Sequence, residues 1–199
     1  SNLEKNIFFN FSVILFSLIP FFLITGPFLS DLSVSLISVI FLIYSIKKKD
    51  FSFFKKKIFY LFLIFWCYLI LNTLINNFNI DSLKISFFYF RYGVFIIAIV
   101  VFLNFNHNFI KYFFYCIFVC FLALIIDGFY QYFFGENILG FKSINKYRVT
   151  SFFYDEQILG SYLSRLWPIF FGLSMIILKQ KKKLFLLFIL LFILSETLV

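Results

Sequence analysis

The sequence predicts an all-α protein, a polytopic transmembrane helix bundle. Hydrophobic residues make up 63% of the 199 residues, charged residues only 14%, and the mean hydropathy is +1.00. A soluble domain is about half apolar and about a quarter charged. The apolar residues also gather into runs of about 20, the length that crosses a bilayer as a helix. The composition therefore indicates an integral membrane protein.

Seven apolar runs predict the spans of one transmembrane domain over residues 1–199. A turn at Gly26 and Pro27 separates the first two runs, and the last run stops inside its helix. That unfinished run, with a start at Ser1 rather than an initiator Met, predicts a fragment of a longer protein. The predicted spans lie near 7–25, 30–46, 58–76, 83–104, 110–134, 157–178 and 184–199.

The lysines predict the orientation of the spans. One lysine cluster occupies residues 47–57, between the second and third spans, and another occupies 179–183, between the sixth and seventh. Basic loops stay in the cytoplasm, so both clusters predict a cytoplasmic N-terminus. The net charge of +9 arises largely from these loops, and nucleic acid is not predicted as a partner.

The loop 135–156 departs from this pattern. The predicted topology places it outside the cytoplasm, yet it carries Lys142, Lys146 and Arg148. Cations on that side oppose the topology bias. They therefore predict an anionic ligand at this loop.

Three spans each place a charged residue at a similar predicted depth. Arg91, Asp127 and Arg165 lie about 10, 10 and 12 Å from the outer ends of their helices, at a rise of about 1.5 Å per residue. Charges inside spans usually face a bundle interior or a polar cavity. Asp127 is open to a structural interpretation, in which it pairs with one arginine and ties two helices together. The remaining guanidinium would then favour a phosphate or carboxylate, which it binds through parallel hydrogen bonds.

Helical spacing groups further polar residues with these charges. Asp127 and Gln131 are four positions apart and share a helix face. A stripe of small and polar residues also follows one face of the sixth span and leaves room for a ligand chain. Its members are Gln157, Gly160, Ser161, Ser164, Arg165 and Pro168.

The stretches "DGFYQYFFGENILGF", "YRVTSFF" and "DEQILGSYLSR" resemble the O-antigen ligase and O-antigen polymerase family of bacterial envelope glycosyltransferases. The segment "SLKISFFYFRYGVF" resembles the preceding span of that family. The resemblance covers about 40 residues in uninterrupted order. It is carried by Asp127, Gln131, Gly135, Gly140, Arg148, Ser151, Phe152 and Gly160.

This resemblance implies a multi-pass protein of the bacterial plasma membrane, active on its periplasmic face in lipopolysaccharide biosynthesis. The donor would be a glycan on undecaprenyl pyrophosphate. The acceptor would be lipid A-core for a ligase, or another lipid-linked repeat for a polymerase. It implies no cofactor and no metal, and it places the general base in a later loop.

The resemblance and the charge pattern together give the candidate residues for binding pyrophosphate or sugar. Arginines would bind the pyrophosphate, the acid and amide of the fifth span would orient them or contact the sugar, and the loop lysine would attract the donor. The candidates are Arg148, Arg165, Arg91, Asp127, Gln131 and Lys146.

Two other functions remain open from the residues. A transporter or flippase for lipid-linked or anionic solutes would also carry charges within its spans, nearer the midplane and with repeated broken helices. A structural membrane subunit would pair all its arginines internally.

Overall fold

The protein is all-helical in the part of the chain that the computed structural model describes, which is residues 2–76, 79–105, 108–142, 148–154, 156–178 and 182–198. Two short 3-10 turns, Ser52–Lys55 and Ser151–Phe153, accompany the α-helices. The α-helices of the described residues are α1 (Asn2–Ser17), α2 (Ile19–Thr25), α3 (Pro27–Lys48), α4 (Lys57–Asn76), α5 (Ile80–Phe88), α6 (Phe90–Phe105), α7 (Asn108–Phe134), α8 (Leu159–Ile177) and α9 (Lys182–Leu198).

Four helical segments are long and apolar enough to cross a membrane, judged by length and composition. They are Pro27–Lys48, Lys57–Asn76, Ile80–Asn104 and Phe109–Phe134. The third combines α5 and α6. The prediction of an all-α membrane protein therefore holds at this level, while the count of seven spans and the cytoplasmic N-terminus stay predictions.

Helices also occupy the other three predicted positions. Phe9–Thr25 and Phe185–Thr197 are apolar but shorter, and α8 has 19 residues that include Arg165 and Pro168. Polar residues and a proline make α8 the least membrane-like of the long helices.

The chain, predicted as a single domain, divides into two compact units. Unit 1 contains Ser1–Phe16 and Ser30–Phe109, and unit 2 contains Ser17–Leu29 and Ile110–Val199. Each unit has its own cluster of buried apolar side chains.

The core of unit 1 forms where small residues let helices approach. Buried serines on α3, among them Ser33 and Ser38, lie on the same face as Ile37 and Phe41. Gly93 on α6 packs directly against the ring of Phe62 on α4, and a β-carbon at this glycine would overlap that ring. The backbones of α4 and α6 can therefore come close only because residue 93 has no side chain.

The core of unit 2 is largely aromatic. Phe121 of α7 stacks edge to face with Trp167 and Phe170 of α8, with ring centroids 5.0 and 5.1 Å apart. The Trp167 indole donates a hydrogen bond of 2.9 Å to the Ser195 hydroxyl of α9. The Tyr162 hydroxyl donates one of 2.7 Å to the Pro20 carbonyl of α2. The polar atoms of Trp167 and Tyr162 thus link α8 to α9 and α2, while the rings themselves make apolar contacts.

Candidate functional site

The C-terminal half of α7 carries a carboxylate that is fully buried. One oxygen of Asp127 accepts a 2.9 Å hydrogen bond from the Ile138 amide, and the other accepts a 2.6 Å bond from the Ser151 hydroxyl. Asp127 has no exposed surface. A buried charge is tolerated when polar donors replace the water it has lost. Asp127 therefore fixes both the start and the end of the loop that follows α7.

Gln131, one turn later on the same face, binds that loop through both the oxygen and the nitrogen of its side-chain amide. Its oxygen accepts hydrogen bonds from the Thr150 and Ser151 amides at 2.9 and 2.7 Å. Its nitrogen donates to the Thr150 hydroxyl at 3.2 Å and to the Phe141 carbonyl at 3.3 Å. The side chain is 1% exposed, so these loop atoms replace solvent around it.

The first part of the loop is a compact turn around Asn137. The Asn137 oxygen accepts bonds from the Leu139 and Phe141 amides at 3.0 and 2.8 Å, and its nitrogen donates to the Ser151 carbonyl at 3.0 Å. Gly135 and Gly140 have φ of +81° and +84°, a backbone region that favours glycine. These two glycines, which belong to the stretch that carries the family resemblance, thus let the chain fold back onto α7.

The second part of the loop brings strained backbone into this network. Ser151 and Tyr154 have φ of +51° and +57° without being glycines. Such a conformation has a cost that surrounding contacts must offset. The hydrogen bonds of Ser151 with Asp127 and Gln131 provide that offset.

Arg148 stands immediately before this anchored segment and is exposed. Its Nη1 donates a 2.8 Å hydrogen bond to the Gln157 side-chain oxygen. Gln157 is also exposed and lies just before α8. The fixed backbone of Thr150 and Ser151 therefore holds a guanidinium at the surface near the start of α8.

Arg165 is exposed on α8, about 9 Å along the helix axis from Leu159 at a rise of about 1.5 Å per residue. Its side chain forms no hydrogen bond or ion pair with the residues the structure describes. Of the predicted small and polar stripe, Gln157, Ser164, Arg165 and Pro168 are exposed, whereas Gly160 and Ser161 are half-buried. Leu159, Leu163 and Trp167 on the opposite face are buried. Pro168 also lies on the exposed face and cannot donate to the Ser164 carbonyl.

The exposed face of α8 changes character along its length. Ser164 and Arg165 lie toward the N-terminal end, whereas Ile169, Met175 and Ile176 are exposed further along. The face thus runs from polar and cationic to fully apolar. Such a surface matches a ligand with an anionic head and a long hydrocarbon tail.

Arg91 belongs to unit 1 and has a carboxylate partner. Its Nη2 donates a 2.7 Å bond to Asp31 on α3, whose other oxygen accepts a 2.9 Å bond from the Tyr92 hydroxyl. The Arg91 guanidinium also lies over the Tyr92 ring, 5.1 Å from its centroid. Ser38 donates to the Arg91 carbonyl at 3.0 Å, so both the side chain and the backbone of this residue contact α3.

The predicted site residues thus differ in the unit they belong to and in whether they are buried or exposed. Arg148 and Arg165 lie in one unit, both exposed, while Asp127 and Gln131 hydrogen-bond to the loop rather than to an arginine. Arg91 lies in the other unit, and Lys146 falls outside the described residues.

Asp31 is the residue that the sequence prediction missed, because a carboxylate near a Gly-Pro turn resembles an ordinary helix cap. The available signal was its position near the start of one span, opposite a span that carries an arginine. Within the described residues, no group of three or more His, Cys, Asp or Glu side chains has an arrangement that would hold a metal ion.

The described residues form a helical protein with four segments long and apolar enough to cross a membrane. Unit 2 exposes two arginines, Arg148 next to the anchored loop and Arg165 on α8. No protein-family model, curated protein or solved structure matches the chain. A functional assignment therefore depends on the residues and their geometry, together with the family resemblance in the sequence.

Proposed function

We propose that the chain is part of a membrane glycosyltransferase of the O-antigen ligase or polymerase type. It would act on the periplasmic face of the bacterial plasma membrane. The donor would be a glycan on undecaprenyl pyrophosphate, and the acceptor lipid A-core or a second lipid-linked repeat. The observation that carries the proposal is that unit 2 exposes two arginines, Arg148 next to a loop anchored to α7 and Arg165 on α8.

Guanidinium groups fit the chemistry of this donor. Transfer breaks the bond between the sugar carbon and the pyrophosphate oxygen, and negative charge accumulates on the leaving group. Fixed cations in a site with little water stabilise that charge, and arginine binds phosphate oxygens in pairs. The acceptor hydroxyl forms the new bond and gives its proton to a base, which the resemblance places in a later loop.

Asp127 and Gln131 contribute indirectly in this proposal. Their hydrogen bonds fix Thr150 and Ser151, and this fixes the backbone two residues from Arg148. A guanidinium held in place loses less side-chain entropy when it binds an anion. They are therefore positioning residues.

The exposed face of α8 supports a lipid-linked donor rather than a soluble one. Beyond Arg165, the exposed residues Ile169, Met175 and Ile176 provide an apolar path along the helix. A polyprenyl chain on this path would keep its pyrophosphate beside Arg165. A soluble nucleotide sugar has no hydrocarbon chain that could cover such a surface.

The test is transfer of a lipid-linked glycan by the full-length protein in membranes, with Arg148→Lys and Arg165→Lys variants. Lysine keeps the charge but loses the paired geometry, so we expect transfer to fall at least about a hundredfold, near 2.7 kcal/mol, the loss seen when one transition-state donor is removed. Lys111→Gln, an exposed lysine at the other end of α7, is the matched control and should leave transfer unchanged.

Protein amount in the membrane must be equal in all variants. Normal transfer by both arginine variants would contradict the assignment. If the protein instead moved lipid-linked glycan across vesicle membranes without transferring it, the transporter alternative would be correct.

A further inference from the structure

A cavity of about 330 Å³ opens in unit 1. Three charged side chains contribute to its lining, Asp31, Lys84 and Arg91. Aromatic residues supply much of the remainder. The cavity therefore combines both signs of charge with ring faces.

Arg91 forms the fixed cationic wall of this cavity. Its Nη2 is held by Asp31 at 2.7 Å and contacts the Tyr92 hydroxyl at 3.3 Å. Its Nη1 makes only a 3.5 Å contact with Ser35. The guanidinium thus has donor capacity left for an anion.

Lys84 supplies a second cation at the rim. Its ammonium pairs with Asp81 at 3.2 Å, and the two side chains are 64% and 80% exposed. Exposed pairs of this kind are weak and exchange partners readily. Lys84 can therefore turn to a phosphate in the cavity at little cost.

The Asp31 carboxylate and the rings of Tyr89 and Tyr92 can bind a positively charged group. The Asp31 side chain is 49% exposed although it bonds to Arg91 and Tyr92. Tyr89 and Tyr92 lie beside it, with ring centroids 5.1 Å apart. An ammonium is attracted both to a carboxylate and to aromatic faces.

The position of the cavity indicates a membrane lipid as the source of such a headgroup. Asp31 is near the start of α3, and Arg91 is about 16 Å from the start of α5 at a rise of about 1.5 Å per residue. Ile85 and Phe88 line the same cavity and are 62% and 68% exposed, so they present apolar surface next to the charges. Acyl chains would cover this surface while the headgroup occupies the cavity.

We propose that this cavity binds the headgroup of a phospholipid that carries both a phosphodiester and a primary ammonium, of the phosphatidylethanolamine type. The phosphate contacts Arg91 and Lys84, and the ammonium contacts Asp31 and the tyrosine rings. This site is separate from the proposed glycan transfer and does not depend on it.

The experiment measures lipid binding to the purified, delipidated protein by native mass spectrometry. The probes are phosphatidylethanolamine, phosphatidylglycerol and phosphatidylcholine with identical acyl chains, and free phosphoethanolamine. We expect phosphatidylethanolamine to bind about tenfold more tightly than either other lipid, the effect of one charge-assisted hydrogen bond. Free phosphoethanolamine should compete only weakly because it lacks acyl chains.

Lys84→Gln is the test variant, because an exposed lysine is dispensable for folding. It should weaken phosphatidylethanolamine binding about tenfold, and Lys111→Gln should not. Asp31→Asn, where it folds, should abolish the preference over phosphatidylglycerol. Equal or tighter binding of phosphatidylglycerol or phosphatidylcholine, or no effect of Lys84→Gln, would overturn the proposal. If free phosphoethanolamine displaced the lipid with the same affinity as the lipid itself, the claim that the ligand is a membrane lipid would be overturned.

Discussion

Arg91 and Asp31 are 60 residues apart in the chain and are joined by a 2.7 Å ion pair between α6 and α3. Their side chains are 31% and 49% exposed, so the pair is neither fully buried nor freely solvated. The Tyr92 hydroxyl bonds to the same carboxylate at 2.9 Å. These three polar groups connect α3 and α6, together with the hydrogen bond from Ser38 to the Arg91 carbonyl.

Replacing Asp31 with asparagine should lower the free energy of unfolding by about 1–2 kcal/mol. The change removes a charge-assisted hydrogen bond and leaves the Arg91 charge without its partner, and the partial exposure of both groups limits the loss. Thermal unfolding in detergent measures the effect. Asp81→Asn is the matched control, because its pair with Lys84 is highly exposed and should contribute under about 0.5 kcal/mol. Equal effects of the two variants would refute the structural importance of the Arg91–Asp31 pair.

Replacing Ser151 with alanine should release the loop after α7. Asp127 would lose its 2.6 Å hydrogen bond inside a fully buried site, at a cost of about 2 kcal/mol. We expect faster hydrogen exchange at the Thr150 and Ser151 amides, which now bond to Gln131. Ser164→Ala, at an exposed serine of α8, should leave that exchange unchanged. Unaltered protection in the Ser151 variant would show that its hydroxyl is not needed to hold the loop.

Replacing Gly93 with alanine should destabilise unit 1 by about 1–3 kcal/mol, because the new methyl group overlaps the Phe62 ring. The double variant with Phe62→Ala should be no less stable than Phe62→Ala alone, since the clash has then been removed. Gly172→Ala on α8 is the control, as nothing lies within 4 Å of a β-carbon there. Unfolding in detergent distinguishes the cases, and additive losses in the double variant would contradict this packing.

The sequence predicted the helices well because apolar run length is a local property. The run at 58–76 corresponds to α4 (Lys57–Asn76), and the run at 110–134 corresponds to α7 (Asn108–Phe134). The predicted faces of α8 agree in part with its buried and exposed residues, since Arg165 is exposed and Leu163 buried while Ser161 is half-buried. A helical period can be read without knowledge of the neighbours.

The polar contacts were less accessible to sequence reasoning. Asp127 and Gln131 were expected to share a face, but their partners are mainly backbone amides of Ile138, Thr150 and Ser151. Backbone amides have no signature in a sequence, because every residue except proline has one. The pairing of Arg91 with Asp31 depends on how α3 and α6 are rotated about their axes. Both helices are apolar on nearly all sides, so the sequence does not specify that rotation.

The hydrogen bond between Trp167 and Ser195 has a consequence for biogenesis. Arg165 and Pro168 make α8 a poor candidate for entering lipid by itself, since an arginine at the centre of a helix costs about 2.5–3.5 kcal/mol on insertion scales. The indole finds its acceptor, and the rings of Phe188 and Phe192, only after the ribosome has made α9. The packing of α8 is therefore completed by a segment synthesised later, and a ribosome stalled between the two helices would leave the Trp167 indole without the Ser195 hydroxyl.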